Sequence, residues 1–283
     1  MNPAALPPIY LSHGSPMTAL EPGVVGPFWS ALGPRIEALA GGRPRAILAI
    51  SAHTLTREPV LLAAAQHQTV HDFGGFPDAL YRLRYDAPGA PALAERVAGL
   101  LQAADLPVHV LDRGGLDHGI WAPLRFVWPE ADIPVLPLGF PPDWSPARLF
   151  ALGQALAPLA ADPDSGVLIY ATGSLTHNLR LVFGARASGM PALDAPEIPA
   201  SAAFRRWFAE RTAAADWPAL LDYRRQAPQA ELMHPTDEHL LPFYVAAGAG
   251  GELPATRLHD SLTYGCLGMD AYAFGPQAAR LAG

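Results

Sequence analysis

The chain contains no lysine; all 19 of its basic residues are arginine. That excludes a Schiff-base lysine, a lysine-bound pyridoxal phosphate and the lysine of a phosphate-binding P-loop. It has a single cysteine, Cys266, so it can form neither an internal disulfide nor a cysteine-built zinc cluster. No apolar stretch approaches the ~20 residues that span a bilayer. The start, Met-Asn-Pro-Ala-Ala-Leu-Pro-Pro, has neither the basic head nor the apolar run of a signal peptide. A cytoplasmic protein without membrane partners is therefore expected. There is no basic run and the net charge is −7, which argues against nucleic acid as a partner. No Gly-x-Ser-x-Gly elbow and no Gly-x-Gly-x-x-Gly turn after a strand is present, so neither a serine hydrolase nor a dinucleotide site is indicated.

What is present is an alternation of short apolar runs with longer amphipathic stretches. Strands are expected at 9–11, 46–50, 60–65, 108–111, 133–138 and 167–170, and helices at 24–39, 91–104, 146–159, 201–214 and 237–247. The pattern predicts a single α/β domain over residues 1–283, with a central, substantially parallel or mixed β-sheet flanked by helices. The 31 prolines are scattered, which reads as loop punctuation and not as a linker.

The apolar runs share one way of ending. Ile9-Tyr10-Leu11 leads into Ser12-His13-Gly14-Ser15. Ile47-Leu48-Ala49-Ile50 leads into Ser51-Ala52-His53, and Val167 to Tyr170 leads into Thr172-Gly173-Ser174-Leu175-Thr176-His177. In an open α/β sheet, ligands bind at the carboxyl ends of the strands, so these three histidines are expected to meet in one crevice. His118, in Gly114-Gly115-Leu116-Asp117-His118-Gly119, follows another strand. His239, in His234-Pro235-Thr236-Asp237-Glu238-His239, is expected on the first turn of a helix capped by Thr236.

A lone histidine is more often a structural hydrogen-bonding group than a ligand; the case rests on five of ten occurring in one kind of setting. His67, His109 and His259 lack it. His67 and His71 have the i, i+4 spacing of a zinc-binding helix, but the segment around them reads as a loop, leaving His71 as a pocket-border residue. An imidazole-rich, thiolate-free set suits Fe(II) or Zn(II) rather than Mg(II) or Ca(II), with Asp117, Asp237 and Glu238 available as carboxylate ligands.

Six segments in this order, namely His13-Gly14-Ser15-Pro16-Met17, Ser51-Ala52-His53, His71-Asp72-Phe73-Gly74-Gly75-Phe76-Pro77, Leu116-Asp117-His118-Gly119, His177-Asn178-Leu179-Arg180 and Pro235-Thr236-Asp237-Glu238-His239, resemble the class III extradiol ring-cleavage dioxygenases in their 4,5-DOPA dioxygenase branch. The resemblance runs from His13 to the C-terminus. It implies Fe(II), with zinc often found in the purified protein, and insertion of both atoms of O₂ beside the diol of a catechol. It also implies metal binding by His13, His53 and His239, with Glu238 as the carboxylate alternative at the third position. His177 is implied as acid–base or additional ligand, and His118 as a second pocket histidine. The sequence departs from the branch at Asp237, where proline is frequent. For L-DOPA, cleaved between C4 and C5 to a precursor of betalamic acid, a carboxylate contact is needed; Arg180, Arg82 and Arg84 are the arginines nearest the motifs, and Ser15 and His71 are further substrate-side candidates. A zinc hydrolase on the same ligands and a non-catalytic metal-binding scaffold are the competing readings.

Overall fold

In the computed structural model, which describes residues 4–184 and 190–282, the buried runs of the sequence become the middle of one eight-stranded sheet. Its strands are β1 (Ile9–Ser12), β2 (Ala46–Ser51), β3 (Val60–Leu62), β4 (His109–Leu111), β5 (Val135–Gly139), β6 (Val167–Gly173), β7 (Thr256–His259) and β8 (Ala271–Ala273), in the order β4-β3-β5-β2-β6-β1-β8-β7. The four central strands, β5-β2-β6-β1, run parallel, whereas β3 joins β5, β8 joins β1 and β7 joins β8 antiparallel. Every residue of β1, β2, β5 and β6 is buried. That is why these strands read as continuous apolar runs rather than alternating ones: both faces of a parallel sheet are covered.

The two faces carry separate cores. On one, Tyr10, Leu48, Ile50, Leu136 and Ile169 pack under α2 (Pro91–Ala103), α4 (Pro146–Ala161), α6 (Pro199–Ala213) and α7 (Leu241–Gly250). On the other, Leu11, Ile47, Ala49, Val135 and Leu168 pack under α1 (Gly26–Ala40) and α3 (His118–Val127). Alternate residues of one strand thus serve opposite layers.

Several expectations are corrected. The strand at 60–65 stops at Leu62, and β7 and β8 were not foreseen, because Thr256-Arg257-Leu258-His259 is mixed polar and apolar and Ala271-Tyr272-Ala273 has no branched apolar residue. Helix α3 also went unforeseen: its Asp117 N-cap accepts a hydrogen bond from the Ile120 N–H, but Gly119 and Pro123 within it mask the helical period. The helix expected at 237 begins at Leu241, with Pro242 in its first turn where a missing N–H costs nothing. Thr236 does not cap it; its hydroxyl donates to Glu238 Oε1 instead (3.0 Å). His239 therefore sits in a turn before the helix and not on it.

Candidate metal centre

Parallel pairing sets the strand ends level. Ser51 pairs with Thr172 and Ser12 with Gly173, so β1, β2 and β6, neighbours in the sheet, finish together at one edge. His13 leaves β1 at once and His53 leaves β2 two residues on, both buried or half-buried over that edge. The N-terminus of α3 brings His118 alongside. The turn before α7 brings His239, whose carbonyl is pinned by the Ser174 N–H (2.9 Å) and the Tyr10 hydroxyl (3.1 Å).

Two close approaches require glycine. A Cβ on Gly173 would lie 1.9 Å from the His239 carbonyl oxygen, and a Cβ on Gly119 would lie 2.7 Å from Ser51 Oγ and 3.0 Å from His13 Nδ1. Gly173 at the end of β6 thus lets that strand meet the His239 turn, and Gly119 lets α3 meet Ser51 at the end of β2 and His13 just beyond β1.

Five imidazoles gather there. Ring centroids are 4.9 Å apart for His13–His53, 4.1 Å for His53–His118, 5.5 Å for His13–His239 and 5.0 Å for His53–His239; His177 stacks on His239 at 3.4 Å. Two sets of potential ligand atoms fall within 4.8 Å of one another, His13–His53–His118 and His177–Glu238–His239. The expected set His13, His53 and His239 takes members from both.

Hydrogen bonds fix which nitrogen faces the centre. A carboxylate only accepts, so His118 donates its Nδ1–H to Asp72 Oδ2 (2.9 Å) and His239 donates its Nδ1–H to Glu238 Oε1 (3.0 Å). Each turns its Nε2 away from its carboxylate. His13 Nδ1 pairs with Thr172 Oγ1 (2.9 Å), and His53 Nδ1 faces Asp72 at 3.4 Å. The Nε2 atoms of His13 and His53 then point at each other 3.1 Å apart. At that distance two neutral imidazoles either share one hydrogen bond or hold a cation between them. Two nitrogens bound ~2.1 Å from one ion at an angle near ~100° would lie about 3.2 Å apart. The residues therefore fit a divalent ion.

Electrostatics agree. Burial, and then the neighbouring histidines, push the conjugate acids of His13 and His239 well below the usual imidazole value. Burial and His118 lower that of His53 against the pull of Asp117 and Asp72. Burial lowers His177 to about 4, partly opposed by Glu238. These rings are neutral ligands or bases at neutral pH. Glu238 is held down to about 2 because hydrogen bonds, led by His239, outweigh its burial. For Asp72, burial is likewise outweighed by the bonds from His118, and the carboxylate is charged.

The other carboxylate candidates are engaged elsewhere. Asp117 accepts from Ser51 Oγ (2.6 Å) and Thr54 Oγ1 (2.5 Å), and Asp237 accepts from the Tyr223 hydroxyl (2.6 Å) and pairs with Arg224. His71 donates to the Leu83 carbonyl (3.2 Å) from within a cluster of Phe73, Tyr81 and Trp121 and does not line the cavity. Arg180 is exposed and does not line it either. Ser15 lines it while capping a short turn at Met17. Asp72 is a site residue that the sequence pattern does not single out; its one signal is a lone acid in a Phe- and Gly-rich loop. Tyr10 and Thr172 gave none, since both read as strand.

The histidines open into a cavity of about 600 Å³, within the usual size range of small-molecule sites. Comparisons with known proteins point the same way. Residues 7–275 match the family described as the catalytic LigB subunit of aromatic ring-opening dioxygenase. The chain is 37% identical over 267 residues to the 4,5-DOPA dioxygenase extradiol of Beta vulgaris, covering 94% of this chain and 95% of that one. It is 35% identical to the protein of that name from Escherichia coli K12, covering 95% and 94%. A solved structure of an uncharacterized Escherichia coli K12 protein, JW3007, superposes with a TM-score of 0.75 at 30% identity, over 95% of this chain and all of the other.

Proposed function

Because the chain belongs to the family of the catalytic LigB subunit of aromatic ring-opening dioxygenase, and is a metal-dependent extradiol dioxygenase acting on a small aromatic molecule and O₂, we propose that it opens 4-substituted catechols at Fe(II) held by His13, His53 and His239. The observation that carries this reading is the meeting of three buried or half-buried imidazoles, with the Nε2 atoms of His13 and His53 3.1 Å apart and His239 beside both. Zn(II) suits the same nitrogens and is the ion expected to compete during purification. Family membership sets aside the hydrolase and scaffold readings. The name shared by the two relatives supports L-DOPA as a first substrate to try, with cleavage between C4 and C5 and betalamic acid formed from the opened product.

When bound, the ion supplies Lewis acidity and a common template for catecholate and O₂. The chain's own groups do the rest. A catechol must lose protons to chelate, and the site offers two imidazoles outside the proposed ligand set. His118 has its Nδ1 proton committed to Asp72, so its Nε2 is free to take a proton from a hydroxyl in the cavity. His177 is neutral, lines the same cavity and stacks on His239. Once protonated, either ring stabilises negative charge developing on oxygen. A ring bound against the apolar walls displaces water, which strengthens these interactions. Glu238 orients His239 through Nδ1 and is the alternative ligand at that position. Ser15 lies at the cavity rim as a hydroxyl for the substrate. Among the described residues no helix is long and apolar enough to cross a membrane, and a cytoplasmic setting is proposed from the chain's composition.

The test is oxygen uptake by metal-free protein reloaded with Fe(II) and given a catechol. Uptake that depends on both, and that His13→Ala, His53→Ala and His239→Ala each abolish together with stoichiometric metal binding, is the expected result. A variant of all three that still holds metal at full occupancy would refute the ligand set.

A further inference from the structure

Helix α3 carries a proline in its interior. Pro123 has no N–H, so the carbonyl four residues earlier, on Gly119, lacks its i→i+4 donor. Gly119 is buried, and a buried carbonyl needs a partner. The hydroxyl of Tyr170, on β6, donates to it (3.3 Å). A phenol has one proton, and here a carbonyl that can only accept takes it. Any further hydrogen bond at that oxygen must come from another donor.

That donor stands two residues along the same strand. Tyr170 and Thr172 are spaced so that both side chains lie on one face of the sheet. Burial raises the pKa of the Tyr170 phenol, and a hydrogen bond from Thr172 works against that rise. Thr172 thus spends its own proton on Tyr170 and keeps its lone pairs for another donor. Its other neighbour is His13, whose Nδ1 lies 2.9 Å from Thr172 Oγ1. Tyr170, Thr172 and His13 are all buried, so bulk water does not reset these directions. The ring partners of His118 and His239 are carboxylates, Asp72 and Glu238, which accept only. A hydroxyl can donate or accept, so Thr172 by itself would leave the tautomer of His13 undecided.

Resting on the ligand set of the extradiol reading, we propose that Thr172 and Tyr170 are positioning residues for the ligand His13. A one-way chain of hydrogen bonds runs from His13 Nδ1 through Thr172 and Tyr170 to the Gly119 carbonyl. It holds the His13 proton on Nδ1 and leaves Nε2 as the nitrogen for the ion. Its direction is set at the carbonyl that Pro123 leaves without a helical donor.

The test measures the affinity of metal-free protein for Zn(II) and Co(II) by competition with a chelator, beside a denaturant midpoint for every variant. The variants are Thr172→Val, Thr172→Ser, Tyr170→Phe, the double variant Thr172→Val/Tyr170→Phe, and His13→Ala. Thr172→Val keeps the volume and removes the acceptor. Tyr170→Phe leaves the Thr172–His13 pair in place and removes only the group that takes the Thr172 proton. Thr172→Val is expected to lose roughly 10- to 100-fold in affinity, as outer partners of metal-binding histidines do. Tyr170→Phe should lose roughly fivefold or more, the worth of one neutral hydrogen bond. Thr172→Ser should restore the wild-type affinity, and the double variant should be no weaker than Thr172→Val, because Tyr170 acts through Thr172. Nitrogen NMR of the metal-free protein reads the tautomer directly. The ring signals of His13, assigned by their loss in His13→Ala, should show the proton on Nδ1 in wild type and a shift toward Nε2 in Tyr170→Phe. A lower midpoint in Tyr170→Phe with affinity and tautomer unchanged, a Thr172→Ser variant as weak as Thr172→Val, or additive losses in the double variant overturns the chain and leaves the ligand set standing. Wild-type affinity in His13→Ala removes the ligand assignment and the chain with it.

Discussion

Replacing Asp72 by Asn changes the oxygen that faces both His118 and His53. Asp72 accepts from the His118 backbone N–H through Oδ1 (2.9 Å) and from the ring Nδ1–H through Oδ2 (2.9 Å). Asn retains an oxygen for the backbone but presents an amide N–H₂ to the ring. Two donors then face each other, and relief requires the other tautomer of His118, with its proton on Nε2 and directed into the cavity. A hydrogen bond to a charged group contributes about 1.5–3 kcal/mol, which is roughly a 10- to 150-fold bias in tautomer population. If Nε2 of His118 is the proton acceptor for the catechol, kcat/KM should fall about 10- to 100-fold, the range found for residues that orient active-site histidines. Metal content is measured beside the rate, because the same oxygen faces Nδ1 of the proposed ligand His53 at 3.4 Å. The assay is steady-state oxygen uptake beside metal analysis, in wild type, Asp72→Asn, His118→Gln and the double variant. Asp72 acting through His118 predicts that Asp72→Asn costs no more than a few-fold in the His118→Gln background. Full additivity, or wild-type rates in Asp72→Asn, would refute the coupling.

Three further outcomes are expected. Gly173→Ala places a methyl 1.9 Å from the His239 carbonyl oxygen, and displacing that turn weakens its bonds from Ser174 and Tyr10; overpacking costs ~1–3 kcal/mol, so a lower midpoint in denaturant and weaker metal binding should appear together. His177→Gln should retain metal and lose roughly 10²- to 10⁴-fold in turnover if the ring moves a proton, checked by metal analysis and initial rates; loss of metal would make it a ligand instead. His234 is buried, donates Nε2–H to the Leu175 carbonyl (2.8 Å), and has its pKa pushed down to about 3, chiefly by burial. Between pH about 6.5 and 3 the unfolded chain binds a proton there and the folded chain does not, so stability is full above pH 6.5 and falls as pH drops, by about 1.4 kcal/mol per unit for this group. Denaturant melts of metal-free protein from pH 7 to 4 should show a shallower slope in His234→Gln, by one proton.

The central sheet was readable because parallel strands buried on both faces leave unbroken apolar runs, and β2 and β6 are the clearest cases. The convergence of His13, His53 and His177 was readable for a related reason: strands that are parallel neighbours end at the same edge, and Ser, Gly and Thr mark the ends. Helix α3 was hidden by Gly119 and Pro123, and the start of α7 was misplaced because Thr236 looks like a cap while tertiary bonds to the His239 carbonyl hold the preceding residues in a turn. Contacts between distant segments leave no local trace. Asp72 reaches His118 across 46 positions, and Phe73 and Phe183 face one cavity from a loop and the short helix α5 (Leu179–Phe183); neither relation has a period or spacing to betray it. The arginines near the motifs illustrate the converse, since closeness in sequence put Arg180 beside His177 without bringing it to the cavity wall.

The most direct test of the account is the fate of oxygen in a single turnover. Fe(II)-loaded enzyme is given 4-methylcatechol under isotopically heavy O₂, and the product is analysed by mass and by the position of the broken bond. The account predicts a ring opened beside the diol carrying both heavy atoms, formed by wild type and absent in His13→Ala. A ring opened between the two hydroxyl-bearing carbons, or a quinone with no heavy atom incorporated, would contradict it.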